Sequence, residues 1–508
     1  MRKRMGTWAG PAGIVILAGV MLSACSGGGD GKEGAAAGQS DKPKGPSTVT
    51  VLMSKATNFP EDNLVIQEIR KRTGINVQVI AVDAPDYENK LNTMIASSSP
   101  PDIFRSASKA KIKELADNKA ILPLDDLLAK NGKNIMDNKG KYLKGAGFID
   151  GKNYAIPTAY VLGNGLAFRQ DWLDKLGLKV PTTLDEYDNV LRAFANRDPD
   201  GNGKKDTIPL GLMIAADQTF DHLFAAYGVP MKTGVLVDGK VVPWMLAPGY
   251  LDAVKHLNMM YNEGLIEPDF ATVPNMQEFE KLWNGKMGAF QFNPPGTTQN
   301  WLTRYIENPK PTFVYTVIKG PTGIGGNTRF VREDKGPWTH ISSKAKDPDA
   351  AMKVLDFLNS EEGDRLTWAG VEGQQYTMKD GKFEWIKPFD DAVQLRNVGG
   401  FAYNGISQRL DGMEFQLMNE QTRKGIEMSV NSPIPDAYIF GVPEIERDKK
   451  KVLDDLEVEF RTTAIVSKGG NLDKMYDDFK KKYLAEGGTA WIEQATAIYK
   501  KEQADFKK

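Results

Sequence analysis

The sequence predicts an α/β protein of more than one domain, and three observations carry the prediction. The chain has 508 residues, more than a single hydrophobic core normally organises. Hydrophobic residues make up 41% of it, the composition of a packed protein and not of a disordered one. The folded part opens on a strand–helix–strand pattern: "TVTVLMSK" (48–55) alternates, "EDNLVIQEIRKRTG" (61–74) repeats apolar residues at helical spacing up to Gly74, and "INVQVIAVD" (75–83) alternates again. Two strands joined in this way run parallel with a right-handed crossover.

The pattern continues with a helix in "YENKLNTMIASSS", a short strand in "PDIFRS", a helix in "AKIKELADNKA" and a turn at "LPLDDLL". Tyr154–Pro157 and Leu166–Arg169 read as strands in succession before a new helix at Asp171, which marks a crossing between two bodies. Further strands are expected at "MGAFQF" (287–292) and "FVYTVIKGP" (313–321), and a helix over 347–359. From Val371 onward the chain reads as mainly helical, and no solenoid repeat is present.

At the amino end "MRKR" precedes the apolar run "AGIVILAGVML" and then "LSAC", the order of a signal peptide over residues 1–24. The run is too short for a transmembrane helix. Cys25 is the only cysteine, and "LSAC" resembles the lipobox of bacterial lipoproteins. That resemblance implies a diacylglycerol thioether on Cys25 and attachment to a membrane through lipid, at about 0.8 kcal/mol per buried methylene. A plain secretory signal with a chance cysteine is the competing reading. With Cys25 lipidated, no thiol remains for a disulfide, a metal or a nucleophile. Residues 26–47, rich in Gly, Ala, Ser, Lys and Pro, form a flexible tether. Removal of Arg2, Lys3 and Arg4 with the leader takes the formal charge from −1 to −4, and nothing favours nucleic acid.

"PTTLDEYDNVLRAFANRD" opens with a capping box, Thr183 and Glu186, and runs as a helix into "RDPDGNGKKDTIPLG" (197–211). With Asp198 as position 1, Asp200, Asn202, the Lys204 carbonyl and Asp206 fall at positions 3, 5, 7 and 9, with Gly203 at 6, the first half of an EF-hand loop. Position 12 is Pro209, where an EF-hand needs a bidentate glutamate, and no second helix follows. The expectation is a structural calcium, not a sensor; a solvated turn without metal is the alternative.

The remaining inventory is mostly exclusions. The three histidines, His222, His256 and His340, show no zinc spacing. There is no GxSxG elbow, and "GPTGIGGN" (320–327) lacks the Lys-Ser/Thr of a phosphate loop. Aromatic residues beside turns and strand ends are a positive signal: Tyr160, Trp244, Phe292, Trp301, Trp338, Tyr376 and Tyr403. Flat rings suit the CH face of a pyranose, although each is equally at home in a core.

The lipobox, the tether, "RKRTGINVQV", "SSPPDIF", "YAIP", "RQDWLDKLGLKVPTTLDEY", "DPDGNGKKDTIPL" and "WAGVEGQQY" together resemble the extracellular solute-binding lipoproteins of carbohydrate ABC importers, in the branch of the alginate-binding proteins and the Bacillus-type LipO group. The resemblance implies a two-lobe periplasmic-binding-protein-like (type II) fold with hinge crossings, a central cleft for a sugar or oligosaccharide, and a membrane permease as partner. It implies a monomeric receptor at the outer face of the bacterial cytoplasmic membrane, and no enzymatic activity. The expected lobes are 48–157 with 312–372, and 158–311 with 373–508; the hinges are expected near Ala155–Tyr160, Asn308–Thr312 and Gly370–Tyr376. Alginate-binding relatives have a calcium loop at this place, with a glutamate where this chain has Thr207. Since ligands gather at the carboxyl ends of strands in such sheets, the cleft candidates are Asp102, Arg105, Tyr160, Trp244, Phe292, Asn293 and Trp338, with Glu372 offered on its place beside the third crossing. A calcium-using polysaccharide enzyme and a peptide-binding or adhesion lipoprotein remain the alternatives.

Overall fold

Nine strands divide between two sheets: β1 (Thr48–Lys55), β2 (Asn76–Asp83), β3 (Ile103–Ser106), β4 (Ile156–Pro157), β5 (Gly165–Arg169), β6 (Ile208–Gly211), β7 (Met287–Phe292), β8 (Phe313–Thr316) and β9 (Trp338–Ile341). The first sheet has the order β2-β1-β3-β9-β4 and the second β8-β5-β7-β6. The computed structural model describes residues 45–55, 60–106, 108–158, 163–300, 304–328, 337–380, 382–409 and 412–506. Cys25, Tyr160 and Trp301 lie outside them, as do the leader and the tether up to residue 44.

The opening βαβ unit is as the pattern requires. Val51 of β1 pairs in parallel with Val79 on one side and Ile103 on the other. The helix between β1 and β2, Leu64–Thr73, begins where the Asn63 side chain accepts the Ile66 N–H and stops where Gly74 turns left-handed at φ 69°, both common devices for helix ends. Valines and isoleucines of β1–β3 fill two cores, one on each face of the first sheet. The second sheet is likewise enclosed between two cores. The capping box forms: Thr183 and Glu186 satisfy each other's backbone donors at the head of helix Leu184–Asn196, whose Tyr187, Leu191 and Phe194 are fully buried. Among the described residues no helix is long and apolar enough to cross a membrane.

Two of the expected lobe boundaries move. β8 pairs antiparallel with β5, Phe313 opposite Arg169, so residues 313–316 belong to the second sheet, and the chain returns to the first between Thr328 and Trp338. The described residues of 373–413 in turn stay with the first lobe: Val65 N–H donates to the Val398 carbonyl (3.0 Å), Tyr403 and Ile406 sit in the first core, and Met413 N–H donates to Asp364 (2.6 Å). The last crossing falls between Met413 and Asn419, whose amide donates to the Thr298 carbonyl of the second lobe (2.6 Å). The chain after Val371 is also less helical than expected, with a hairpin of Tyr376–Lys379 and Lys382–Trp385. Apolar patterning identified the strands, but pairing partners depend on contacts distant in sequence.

Candidate functional site

The carboxyl ends of β1, β2 and β3 form one edge of the first sheet. β9 and β4 place Trp338 and Pro157 on that same edge, because Trp338 pairs antiparallel with Ser106 and with Pro157. On the second sheet β6 and β7 are parallel and end at Gly211 and Phe292, and Gly165 lies opposite Phe292. The chain therefore leaves one carboxyl edge at Pro157 and enters the other at Gly165, a reach of at most about 28 Å when fully extended. A connection of this length joins the two edges directly, without an intervening element among the described residues. At the point of entry Gly163 is required, since a Cβ there would stand 1.6 Å from the Ser429 hydroxyl.

On the second edge Asn164, Asp217, Gln218, Asp221, Met231, Lys232 and Thr328 line a cavity of about 120 Å³. Its charges are tied down. Asp217 lies 3.0 Å from Lys232 Nζ and 2.7 Å from a guanidinium nitrogen of Arg461, which is fully buried and also holds Glu457 at 2.7 Å. Burial pushes the Asp217 carboxyl up, but Arg461 and Lys232 outweigh it and leave Asp217 below its ordinary range. Asp221 accepts the Thr328 N–H at 3.0 Å and the Thr328 hydroxyl. Lys232 stands at φ 60°, a left-handed conformation that costs a side-chain-bearing residue about 1 kcal/mol or more. Behind the cavity, His222 N–H donates to Gln291 Oε1 (2.7 Å), His222 Nε2 meets the Tyr187 hydroxyl (2.9 Å), and the Gln291 amide donates to Asn327 (3.0 Å).

On the first edge Arg105 stands 5.7 Å from the centre of the Tyr87 ring, and its buried Nε has no hydrogen-bond partner among the described residues. Trp338 is 1% exposed and its indole N–H is likewise unpartnered. Ser106 Oγ lies 2.7 Å from His340 Nε2, while His340 Nδ1 meets the Tyr154 carbonyl at 2.8 Å. The pair has the spacing of a nucleophile and base. Both residues are fully buried, however, and the third member is a backbone carbonyl, so it is a packed polar network.

The other sequence candidates scatter. Phe292 and Asn293 end β7 on the cleft edge, with Phe292 packed against Phe279 (5.2 Å) and Asn293 accepting the Gly296 N–H (2.8 Å). Asp102 lies at the amino end of β3, where its carboxylate accepts both the N–H and the hydroxyl of Thr50 at 2.7 Å. Trp244 belongs to the second lobe's core between Phe224 and Tyr250. Glu372 is exposed in a turn, and Tyr376 and Tyr403 are buried. Asp217, Asp221 and Lys232 are not among the sequence candidates; the local signal that points to them is Gly211, the end of β6, since Asp217 and Asp221 follow it. Larger cavities lie elsewhere, such as one of about 220 Å³ between Lys109, Phe148, Phe440 and Ile498.

In the 198–206 loop Asp198 accepts the N–H groups of Asn202 and Gly203 (both 3.1 Å), with Gly201 and Gly203 left-handed at φ 76° and 73°. Burial first, and then the Asp198 and Asp206 carboxylates, push Asp200 up. A hydrogen bond from Lys286 holds Asp206 down. Three carboxylates, an amide and a carbonyl are donors of the type calcium takes. Two contacts oppose coordination as the loop stands: the Asn202 NH2 faces Asp200 (2.7 Å) and Asp206 (2.9 Å), and Lys286 pairs with Asp206. No group of three or more Asp, Glu, His or Cys side chains among the described residues is arranged to hold a metal. β6 follows at Ile208, so there is no exiting helix and no sensor pair.

The model of the family "Bacterial extracellular solute-binding protein" matches residues 56–365. The chain belongs to this family. A solute-binding protein of this family is a transport receptor and not an enzyme. The chain is 26% identical to Lipoprotein LipO of Bacillus subtilis (strain 168), over 85% of this chain and 88% of that one. It is 30% identical to the fructooligosaccharide ABC transporter substrate-binding protein FusA of Streptococcus pneumoniae serotype 4, over 88% of each. The structure of S. pneumoniae FusA with kestose matches with a TM-score of 0.66 at 23% identity, covering 90% of this chain and 100% of that one. Alginate-binding protein AlgQ2 without calcium ion matches at 0.64 and 22%, covering 90% and 98%. The two-lobe α/β solute-binding fold is thereby established. Another FusA structure is an EF-hand mutant, with a TM-score of 0.65, 22% identity and coverage of 90% and 100%.

Proposed function

We propose that this solute-binding protein captures a sugar or oligosaccharide between the two carboxyl edges and delivers it to the permease of an ABC importer, held at the outer face of the membrane by lipid on Cys25. The observation that carries the reading is the cavity of Asp217, Asp221 and Lys232 on the carboxyl edge, beside the crossings. Fixed carboxylate acceptors and an ammonium donor suit the ring of hydroxyls on a sugar, and each hydroxyl left unpaired on closure costs about 1–3 kcal/mol. Arg105 and Trp338 supply donors from the opposite edge, with Phe292 and Asn293 at the rim. The names of FusA, which binds fructooligosaccharide, and of the alginate-binding AlgQ2 point to the same class of ligand.

Calcium would be held by Asp198, Asp200, Asn202, the Lys204 carbonyl and Asp206, and would cross-link the end of helix Leu184–Asn196 to β6. It requires Asn202 to present its oxygen and Asp206 to release Lys286. Titration calorimetry with calcium chloride tests this: saturable binding below millimolar metal is expected, and none at millimolar metal leaves the loop a turn. The receptor reading is tested by thermal shift of the full chain against neutral oligosaccharides, uronate oligomers and peptides. A rise of several degrees with a glycan is expected; stabilisation by peptides alone, or by nothing in a broad panel, contradicts it.

A further inference from the structure

Lys139 ends the helix Lys133–Lys139 and is 0% exposed. An ammonium taken out of water carries a desolvation penalty of several kcal/mol unless its donors are well placed. Lys139 Nζ donates to the Pro157 carbonyl at 2.6 Å and to Ser407 Oγ at 3.2 Å, and Ser407 also accepts from the Asn359 amide at 2.6 Å. The position at a helix carboxyl end also favours a cation.

The two acceptors lie on segments far apart in sequence, Pro157 at the first crossing and Ser407 in the first lobe ahead of the last crossing. Pro157 ends β4 at the first crossing, and the next residue, Thr158, sends both its N–H (3.2 Å) and its hydroxyl (2.6 Å) to the Pro337 carbonyl of the second. Two residues on, the Thr339 hydroxyl donates to the carbonyl of Ile406, which adjoins Ser407 on the segment leading to the third crossing. The contacts close into a ring: Ser407, Lys139, Pro157, Thr158, Pro337, Thr339, Ile406 and back to Ser407. Each segment that leaves the first lobe contributes to it, and Lys139 is the one member that belongs to none of them.

We infer that Lys139 is a positioning residue for ligand capture, tying the first-lobe ends of the first two crossings to the segment that leads to the third, so that the lobes reorient about one shared pivot. The inference rests on the receptor reading for its purpose, but its test needs no ligand. Residues bridging separate segments by buried polar contacts couple their motion, whereas a lysine serving only its own helix would have no bearing on the angle between lobes.

The experiment uses the full chain carrying Cys25→Ala, which removes the only native thiol, with spin labels at Lys90→Cys and Lys179→Cys, exposed positions on the first and second lobes. Double electron–electron resonance then reads the distribution of distances between lobes. A narrow single distribution is expected for the parent, at least a twofold broadening for K139M, and the parent's width for K139R. A K139M distribution as narrow as the parent's overturns the proposal, including where K139M lowers the melting temperature without broadening. If K139M does not fold, the S407A/T339V double variant cuts the ring at two other bonds and is read by the same criterion.

Discussion

On the second-lobe edge the charged groups of the cavity have partners within the protein: Asp217 holds Lys232 and Arg461, and Asp221 holds Thr328. On the first-lobe edge the Arg105 Nε and the Trp338 indole N–H have none among the described residues. One edge is thus organised within the protein, while the other keeps buried donors without a partner, the donors that the proposed function assigns to the ligand. Preorganisation lowers the cost of ordering on binding, and unpaired buried donors penalise the closed state without ligand. A receptor that docks its ligand on the second lobe and closes the first lobe onto it uses both properties.

The largest way to break that contrast is at Arg461. R461M strips Asp217 and the buried Glu457 of their shared cation, and breaking such a pair costs about 3–5 kcal/mol. Urea unfolding should show a loss of that size; an unchanged midpoint would mean the cavity is not held from behind. Acid titration comes next and touches both lobes. Burial holds His222 and His340 down at about 4, from an ordinary value of 6.5. Their contribution is full above pH 6.5 and is lost as pH falls through 4, by up to roughly 3 kcal/mol each. Glu278 of the second lobe has the opposite sign. Burial raises it to about 7 from 4.5, so its contribution is full below pH 4.5 and is lost as pH rises through 7. E278Q should abolish this decline, which spans pH 4.5 to 7, and leave the histidines' loss on acidification intact, as denaturant midpoints across the pH range would reveal.

Smaller effects separate the edges more finely. R105A should weaken sugar binding about tenfold, or roughly 1.4 kcal/mol, and change unfolding by less than about 0.5 kcal/mol, because the guanidinium packs over the Tyr87 ring and beside Gly405 with no ion pair among the described residues. Loss of stability in place of affinity would make Arg105 a core residue. W338F removes an N–H with no partner to lose and should alter affinity only a few-fold, with the melting temperature nearly unchanged.

Local chemistry made much of the fold legible. The Thr183–Glu186 box, the stop at Gly74 and the alternation of β1 and β2 are all encoded within a few residues and reappear in the structure. The course of β8 was not legible, since "FVYT" carries no mark that distinguishes β5 from a first-sheet partner. The cleft was half legible. The strand-end rule names Arg105, Trp338, Phe292 and Asn293, which do stand at the two carboxyl edges, but it also admits Asp102, which stands at the other end of β3 with its carboxylate committed to Thr50. Asp217 and Arg461 are 244 positions apart, and no local pattern announces such a pair. Trp172 is a core tryptophan, and the Trp491 indole donates to Glu446 (2.7 Å).

Calorimetric titration of the full chain and its K232M variant with the oligosaccharide giving the largest thermal shift tests the central claim most directly. Lys232 lines the cavity and is partly exposed, and Asp217 keeps Arg461 when it is removed, so the fold should survive. The account predicts saturable one-to-one binding to the native chain and at least about tenfold weaker binding to K232M. Equal affinity in the two proteins would place the sugar elsewhere and contradict the account.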